Sequence, residues 1–248
     1  MNYHWNWGIF WEISPDGAHS YLQTLLLGTT WTLATAFAAW CIALVFGSII
    51  GVIRTTPSVW LVRFGNAYVE LFRNIPLLVQ MLLWYFVLPE VVTQAIGTWL
   101  KQAPNASFYT AVVALGFYTS ARVAEQVRAG ILSLAQGQRL AALALGLTLP
   151  QTYGFVLLPM AYRIMLPPLT SELLNIIKNS SVALTIGLME LTARARAMQE
   201  FSFQVFEAFT AATVIYIVIN IVVTFAMRAL EQRAAVPGFI GATPAATH

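Results

Sequence analysis

From Thr24 to Ile53 the sequence holds no charged side chain, and Arg54 closes the run. A helix needs about 20 mostly apolar residues to cross a bilayer. This stretch is long enough to do so and has no charged face to offer water. The first twenty residues, MNYHWNWGIFWEISPDGAHS, lack the basic start and continuous apolar centre of a cleavable leader, so the span is expected to act as an uncleaved signal. The rest of the chain agrees. Of its 248 residues 58% are hydrophobic and only 9% charged, with a mean hydropathy of +0.71. Soluble domains carry roughly 25% charged residues, and so few charges cannot clothe a water-facing surface of this size. The expected fold is an all-α integral membrane protein.

Four further apolar stretches, about 75–88, 108–123, 153–177 and 209–227, bring the expectation to about five transmembrane helices. The stretch at 75–88 is short unless its polar lead-in, 68–74, is helical too. The one at 153–177 is interrupted by Pro159, Pro167 and Pro168. Basic residues set the orientation. With the N-terminus outside, Arg54 and Arg63 flank an inner loop, Arg122, Arg128 and Arg139 fall in or beside the next inner segment, and Arg228 and Arg233 follow the last span. Glu12, Asp16, Glu90, Glu200 and Glu207 then lie outside, with Lys101, Arg194 and Arg196 against the trend. The expected topology is N-out/C-in, with Trp5, Trp7, Trp11 and Trp99 in an outer aromatic belt. Residues 1–23 form an outer segment, 24–230 the membrane domain and 231–248 an inner tail, expected to be disordered after Pro237.

Several chemistries are excluded. The net charge of +3 is spread over single basic residues, with no run to track the phosphates of a nucleic acid. Lys101 and Lys178 are the only lysines and neither follows a glycine, so there is no phosphate loop of the GxxxxGK[ST] kind. The histidines, His4, His19 and His248, sit near the ends, and neither HExxH nor GxSxG occurs. Cys41, the single cysteine, permits no disulfide or cysteine metal site within one chain and reads as a small buried hydrophobe. Neither catalysis nor a bound metal or cofactor is expected of this chain.

Three polar islands interrupt the apolar pattern, and ionisable groups at membrane depth are functional candidates by default. In ELFRNIPLLVQ, Glu70 and Arg73 stand three apart, where they can pair on one helix face, and Pro76 perturbs the helix; a structural ion pair and a role in gating both stay open. In the segment 125–151, the small, helix-favouring run 139–146 is ended by Gly146, and Pro150 prevents its continuation. That piece is either a plain interfacial helix or one that docks in a partner's groove. The third island, 170–182, follows the Pro167–Pro168 break and holds Glu172, Lys178, Asn179, Ser180 and Ser181. It reads as a broken or re-entrant helix. Ser180 or Ser181 would cap a new helix whose free N–H groups, with Lys178, favour an anion such as a substrate carboxylate. The alternative is that Lys178 pairs with Glu172.

The pattern Gly137-Gln138, Ala141, Ala142, Gly146 and the distant Leu158-Pro159 resembles the EAA loop of bacterial ABC-importer permeases. ELFRNIPLLVQ, EQVRAGI, NIIKNSSVALTIGL, the Trp5–Phe10 segment and PGFIG (Pro237 to Gly241) are similar to the polar amino-acid branch of that family, and within it to glutamate/aspartate import permeases. The resemblance runs from Trp5 to Gly241. It departs at Leu140, where the family's loop has its glutamate, so a salt bridge from that position to an ATPase cannot form.

The resemblance implies a type-1 ABC-importer transmembrane domain in the bacterial inner membrane. It implies a second permease subunit, with a lean to a heterodimer, two ABC ATPase subunits that carry ATP and magnesium, and a periplasmic amino-acid-binding protein. The segment about 126–152 would be the loop that couples to the ATPase, and alternating access the mechanism. A self-sufficient carrier or channel is the rival reading. Such carriers usually show more spans in recognisable repeats, and co-purification with an ATPase would separate the two.

Overall fold

The computed structural model describes residues 3–234; the expectations for His248, PGFIG and most of the inner tail fall outside the described residues. These are helical nearly throughout. The α-helices are α1, Tyr21–Ile53; α2, Val59–Asn74; α3, Leu77–Leu82; α4, Leu88–Val91; α5, Gln94–Gln102; α6, Ala106–Leu132; α7, Gln136–Ala144; α8, Leu149–Thr152; α9, Leu158–Asn179; α10, Leu191–Ser202; and α11, Val205–Ala234. Singly, α1 and α11 are long and apolar enough to cross a membrane, and the α2 helix with Leu77–Val91 passes jointly as a bent pair. Length and composition therefore give two or three spans where the sequence suggested five. The difference lies in α6 and α9, which carry charges along their length.

The bundle is built on the contact of α1 with α6. The side chains α1 buries recur every three to four residues and are mostly small: Thr24, Gly28, Thr32, Ala36, Ala39, Ala43, Gly47 and Gly51. Such a stripe lets two backbones approach closely where apolar burial alone supplies little driving force. A methyl group placed on Gly47 would stand 2.6 Å from the Val123 side chain and 2.8 Å from the Ser120 carbonyl oxygen; one on Gly51 would meet Val127 at 2.5 Å. Cys41 lies on the opposite, exposed side of α1 and is not the buried hydrophobe its surroundings in sequence suggested.

After α1 the chain turns back through α2 and then bends by 98° into Leu77–Val91. The polar lead-in 68–74 is helical, as the longer reading of the second span required, and it is the end of α2, which meets Leu77–Val91 across the bend. Pro76 marks the corner, and Gln80 secures it by donating to the carbonyls of Phe72 (2.8 Å) and Ile75 (2.9 Å). Glu125 of α6 clasps the outside of the same corner: it accepts from Arg54 and from Arg73, each at 3.1 Å, while Arg54 is further held by Asn66 at 2.8 Å. The expected Glu70–Arg73 pair is thus replaced by Arg73–Glu125, and Glu70 is exposed.

Two prolines are accommodated in the same way. The π-turns Leu83–Val87 and Tyr153–Leu157 immediately precede Leu88-Pro89 and Leu158-Pro159. In each the leucine N–H reaches back five residues, to the carbonyls of Leu83 and Tyr153. The wider turn lets the helix absorb a residue that has no N–H to donate. Pro167 and Pro168 lie inside α9 without ending it, so the expected break there does not occur.

Two stability measurements check this packing. The double variant Gly47→Ala/Gly51→Ala is expected to melt at lower temperature in detergent. Overpacking costs roughly 1–3 kcal/mol at each site, more than the helix-propensity gain of about 1 kcal/mol per glycine replaced. Gly154→Ala, with open space around it, is the control and should not fall. Likewise Glu125→Gln is expected to cost about 1–3 kcal/mol by taking the charged partner from the buried Arg54, whereas Glu70→Gln should stay within about 0.5 kcal/mol. Equal effects of the two would place the clasp elsewhere.

Candidate functional site

The α7 helix carries the first candidate. Gly146 adopts φ +84°, its N–H bonds to the Leu143 carbonyl at 3.0 Å, and the Leu147 N–H bonds to Ala142 at 3.2 Å. This pair of reversed bonds is the Schellman stop, which favours glycine at the left-handed position. Pro150 does not merely block continuation; it sits in the first turn of α8, which Thr148 and Gln151 cap reciprocally. Ala142 is buried and anchors α7 to the bundle. Gly137, Ala141 and Gly146 are exposed, Gln138 is half-buried, and Leu140 and Leu145 stand 63% and 83% exposed. Pro159 lies beyond the π-turn in the first turn of α9. The residues named from the sequence therefore gather on one short helix and its return, and that helix presents leucines outward.

The second candidate is a polar cavity of about 380 Å³ bounded by Arg73, Tyr118, Arg122, Glu125, Gln126 and Glu172. Here α6 supplies four of the six side chains, the α2 corner one and α9 one. Arg122 lies over the Tyr118 ring, 4.9 Å from its centroid, and donates to the Tyr118 hydroxyl at 2.7 Å. Its distance to Glu172 is 3.8 Å, close enough for Coulomb attraction but too long for a hydrogen bond. The Glu172 Oε2 atom is buried and without a hydrogen-bond partner among the described residues.

Glu172 and Lys178, grouped together in the sequence reading, part company here. Lys178 is exposed and lines a separate groove with Tyr216, Asn220 and Arg228 on α11, so the alternative pairing with Glu172 is also excluded. Ser180 and Ser181 do not begin a new helix. Their hydroxyls donate backwards, to the carbonyls of Ile177 at 2.8 Å and Lys178 at 2.7 Å, while the backbone runs straight from α9 into a 3₁₀ turn, Ser180–Ile186; Asn179 is the junction. No free helix start faces an anion at this point. The next helix start, that of α10, is filled by the chain's own Glu190, whose carboxylate accepts from the N–H groups of Thr192 (2.9 Å) and Ala193 (2.8 Å) and from the Tyr216 hydroxyl (3.0 Å).

Sequence reasoning treated Arg122 as a marker of topology and passed over Tyr118 and Glu190. The missed signal was periodic: Tyr118, Arg122, Glu125 and Gln126 recur at helical spacing along an otherwise apolar segment, so one face of α6 is polar.

Residues 24–236 match the family described as binding-protein-dependent transport system inner membrane component. The chain is 46% identical to the glutamate/aspartate import permease protein GltJ of Escherichia coli (strain K12) over 244 residues, 97% of this chain and 99% of that protein. It is 35% identical to the probable glutamine ABC transporter permease protein GlnM of Bacillus subtilis (strain 168), covering 82% and 89% of the two chains. Among solved structures, an amino acid ABC transporter crystallised with histidines superposes with a TM-score of 0.72 at 30% identity, over 86% of this chain and 95% of that one. The methionine transporter MetNI in an inward-facing form shares the fold, with a TM-score of 0.74 at 22% identity over 90% of this chain. The all-helical fold is thus that of a type-1 ABC-importer transmembrane domain, and the chain belongs to the binding-protein-dependent transport system inner membrane component family.

Proposed function

We propose that the chain is one permease subunit of an ATP-driven importer that moves glutamate or aspartate across the bacterial inner membrane. The observation that carries the reading is α7: a short helix anchored by Ala142, stopped by Gly146 and presenting Leu140 and Leu145 to the outside. In this reading the leucines exposed by this short helix are where an ABC ATPase docks. Leu140 gives that contact no charge, so apolar burial holds it. Family membership and the 46% identity to an Escherichia coli glutamate/aspartate import permease support the substrate.

The rest of the assembly follows from the same reading. A second, non-identical permease pairs with this one, two ATPase subunits bind ATP and magnesium, and a periplasmic binding protein delivers the amino acid. The chain crosses the membrane about five times, N-out and C-in, with residues 24–230 as its membrane domain. Its part is a path and a lever. ATP-driven closure of the ATPase pair moves α7, and α7 is joined through α8 and the π-turn to α9, which borders the polar cavity at Glu172. The groove of Lys178, Asn220 and Arg228 is a second candidate wall of the path.

Reconstitution in proteoliposomes tests the whole reading. With ATPase, second permease and binding protein present, glutamate is expected to stimulate ATP hydrolysis and to accumulate inside. Accumulation without any ATPase would favour a self-sufficient carrier instead. Leu145→Asp, on an exposed position that the fold does not need, is expected to reduce ATPase recovered in pull-down at least about tenfold, because a charge must be desolvated in an apolar contact. Unchanged recovery would remove α7 as the docking element.

A further inference from the structure

The polar cavity is lined by as many arginines as glutamates, Arg73 and Arg122 with Glu125 and Glu172. A third arginine, Arg54, lies buried behind Glu125, so the ionic cluster around the cavity holds three arginines and two glutamates, with one positive charge over. The two sides are not equally committed. Glu125 is shared by Arg54 and Arg73 at 3.1 Å each and is spent in clasping the α2 corner. Arg122 and Glu172 make no hydrogen bond to each other. A guanidinium has five N–H donors in a planar fork, and among the described residues that of Arg122 uses one, toward Tyr118. Glu172 leaves a buried oxygen unpartnered, although buried carboxylate oxygens are normally hydrogen-bonded. The cavity's volume, about 380 Å³, falls in the range of small-molecule sites, roughly 300–1,000 Å³.

An acidic amino acid has the complementary inventory. It carries two carboxylates and one ammonium group, hence one net negative charge, which the cluster's surplus neutralises. A neutral amide side chain leaves the surplus standing, and a basic one adds to it.

We propose that Arg122 selects the substrate by side-chain charge: its guanidinium takes the side-chain carboxylate of an acidic amino acid in this cavity, and Glu172 takes the α-ammonium group. Arg122 is suited to the task because a planar fork matches a carboxylate in two parallel hydrogen bonds. The Tyr118 ring beneath holds the fork in place. Glu172 lies on α9 and Arg122 on α6, so the bound amino acid replaces a loose 3.8 Å contact with two bridged ones and draws the two helices onto a common ligand. The proposal rests on the importer reading for its biological setting, but not for its measurement.

The test uses the complete complex of this chain with its second permease and ATPase, in nanodiscs and without binding protein, so that the permease alone discriminates. Binding of L-glutamate, L-glutamine and glutarate, which is glutamate without its amino group, is measured by calorimetry. Glutamate is expected to bind at least about tenfold more tightly than glutamine. Arg122→Gln should weaken glutamate at least about tenfold and bring the two ligands close to parity, while Arg122→Lys, which keeps the charge and loses the fork, should restore part of the preference. Glu172→Gln should weaken glutamate and leave glutarate no weaker. Unchanged affinity and number of sites in Arg122→Gln overturns the proposal, as does glutamine binding as tightly as glutamate in the wild type. Should Arg122→Gln fail to assemble, the Arg122→Lys and Glu172→Gln comparisons still decide. Uptake by the same preparations with binding protein added separates the two readings. ATP-driven glutamate import with no dependence on Arg122 leaves the importer standing and removes the selector. Arg122-dependent glutamate binding without ATP-driven import does the reverse.

Discussion

The buried guanidinium of Arg54 must find its counter-charge inside the protein, and Glu125 supplies it. It lies on α6, the central helix, and reaches Arg54 at the end of α1 and Arg73 at the end of α2. Remove the carboxylate and the buried Arg54 keeps only Asn66 to offset its desolvation, while the half-exposed Arg73 loses its one ionic partner. The 98° corner between α2 and Leu77–Val91 is held in place by this contact and by Gln80 behind it. The position of that corner in turn brings Arg73 to the edge of the cavity. One ionic contact therefore fixes a helix direction, a cavity wall and the partner that is left for Arg122.

The close seam of α1 against α6 works alongside it. Small residues on α1 bring the two backbones together, and that approach sets the distance over which Arg54 can reach Glu125. Polar chemistry in this chain depends on apolar packing of high precision, and the polar contact then fixes the register of the packing.

Much of this was legible in the sequence, and the failures have a common cause. The helices α1 and α11 could be read because uninterrupted apolar runs leave no alternative to a span. The stop after α7 could be read because Gly146 supplies a left-handed residue and an αL stop has a local cause. By contrast, Glu70 and Arg73 were paired by their spacing of three, although the partner that Arg73 takes lies on another helix. Ser180 and Ser181 have the residue type of caps, but their hydroxyls bond back into the helix that precedes them. Pro167 and Pro168 have the residue type of breakers, yet α9 passes through them. Local rules identified the groups with unusual demands. Which neighbour answers each demand is a long-range fact, and for Arg122, Glu172 and Glu190 it needed the fold.

The proline pair in α9 has a mechanical consequence. Pro167 and Pro168 cannot donate to the carbonyls of Arg163 and Ile164 four residues earlier, so at this one level the helix lacks the hydrogen bonds that make the rest of it a stiff rod. Bending stiffness is reduced there, between the end that leads to α7 and the end that carries Glu172. A displacement applied at the α8 end then arrives at Glu172 as a swing about a compliant joint and not as an axial push. A jointed rod turns a small sideways motion at one end into a change of angle at the other, which is the motion that separates or closes two facing side chains without dragging the whole bundle with it.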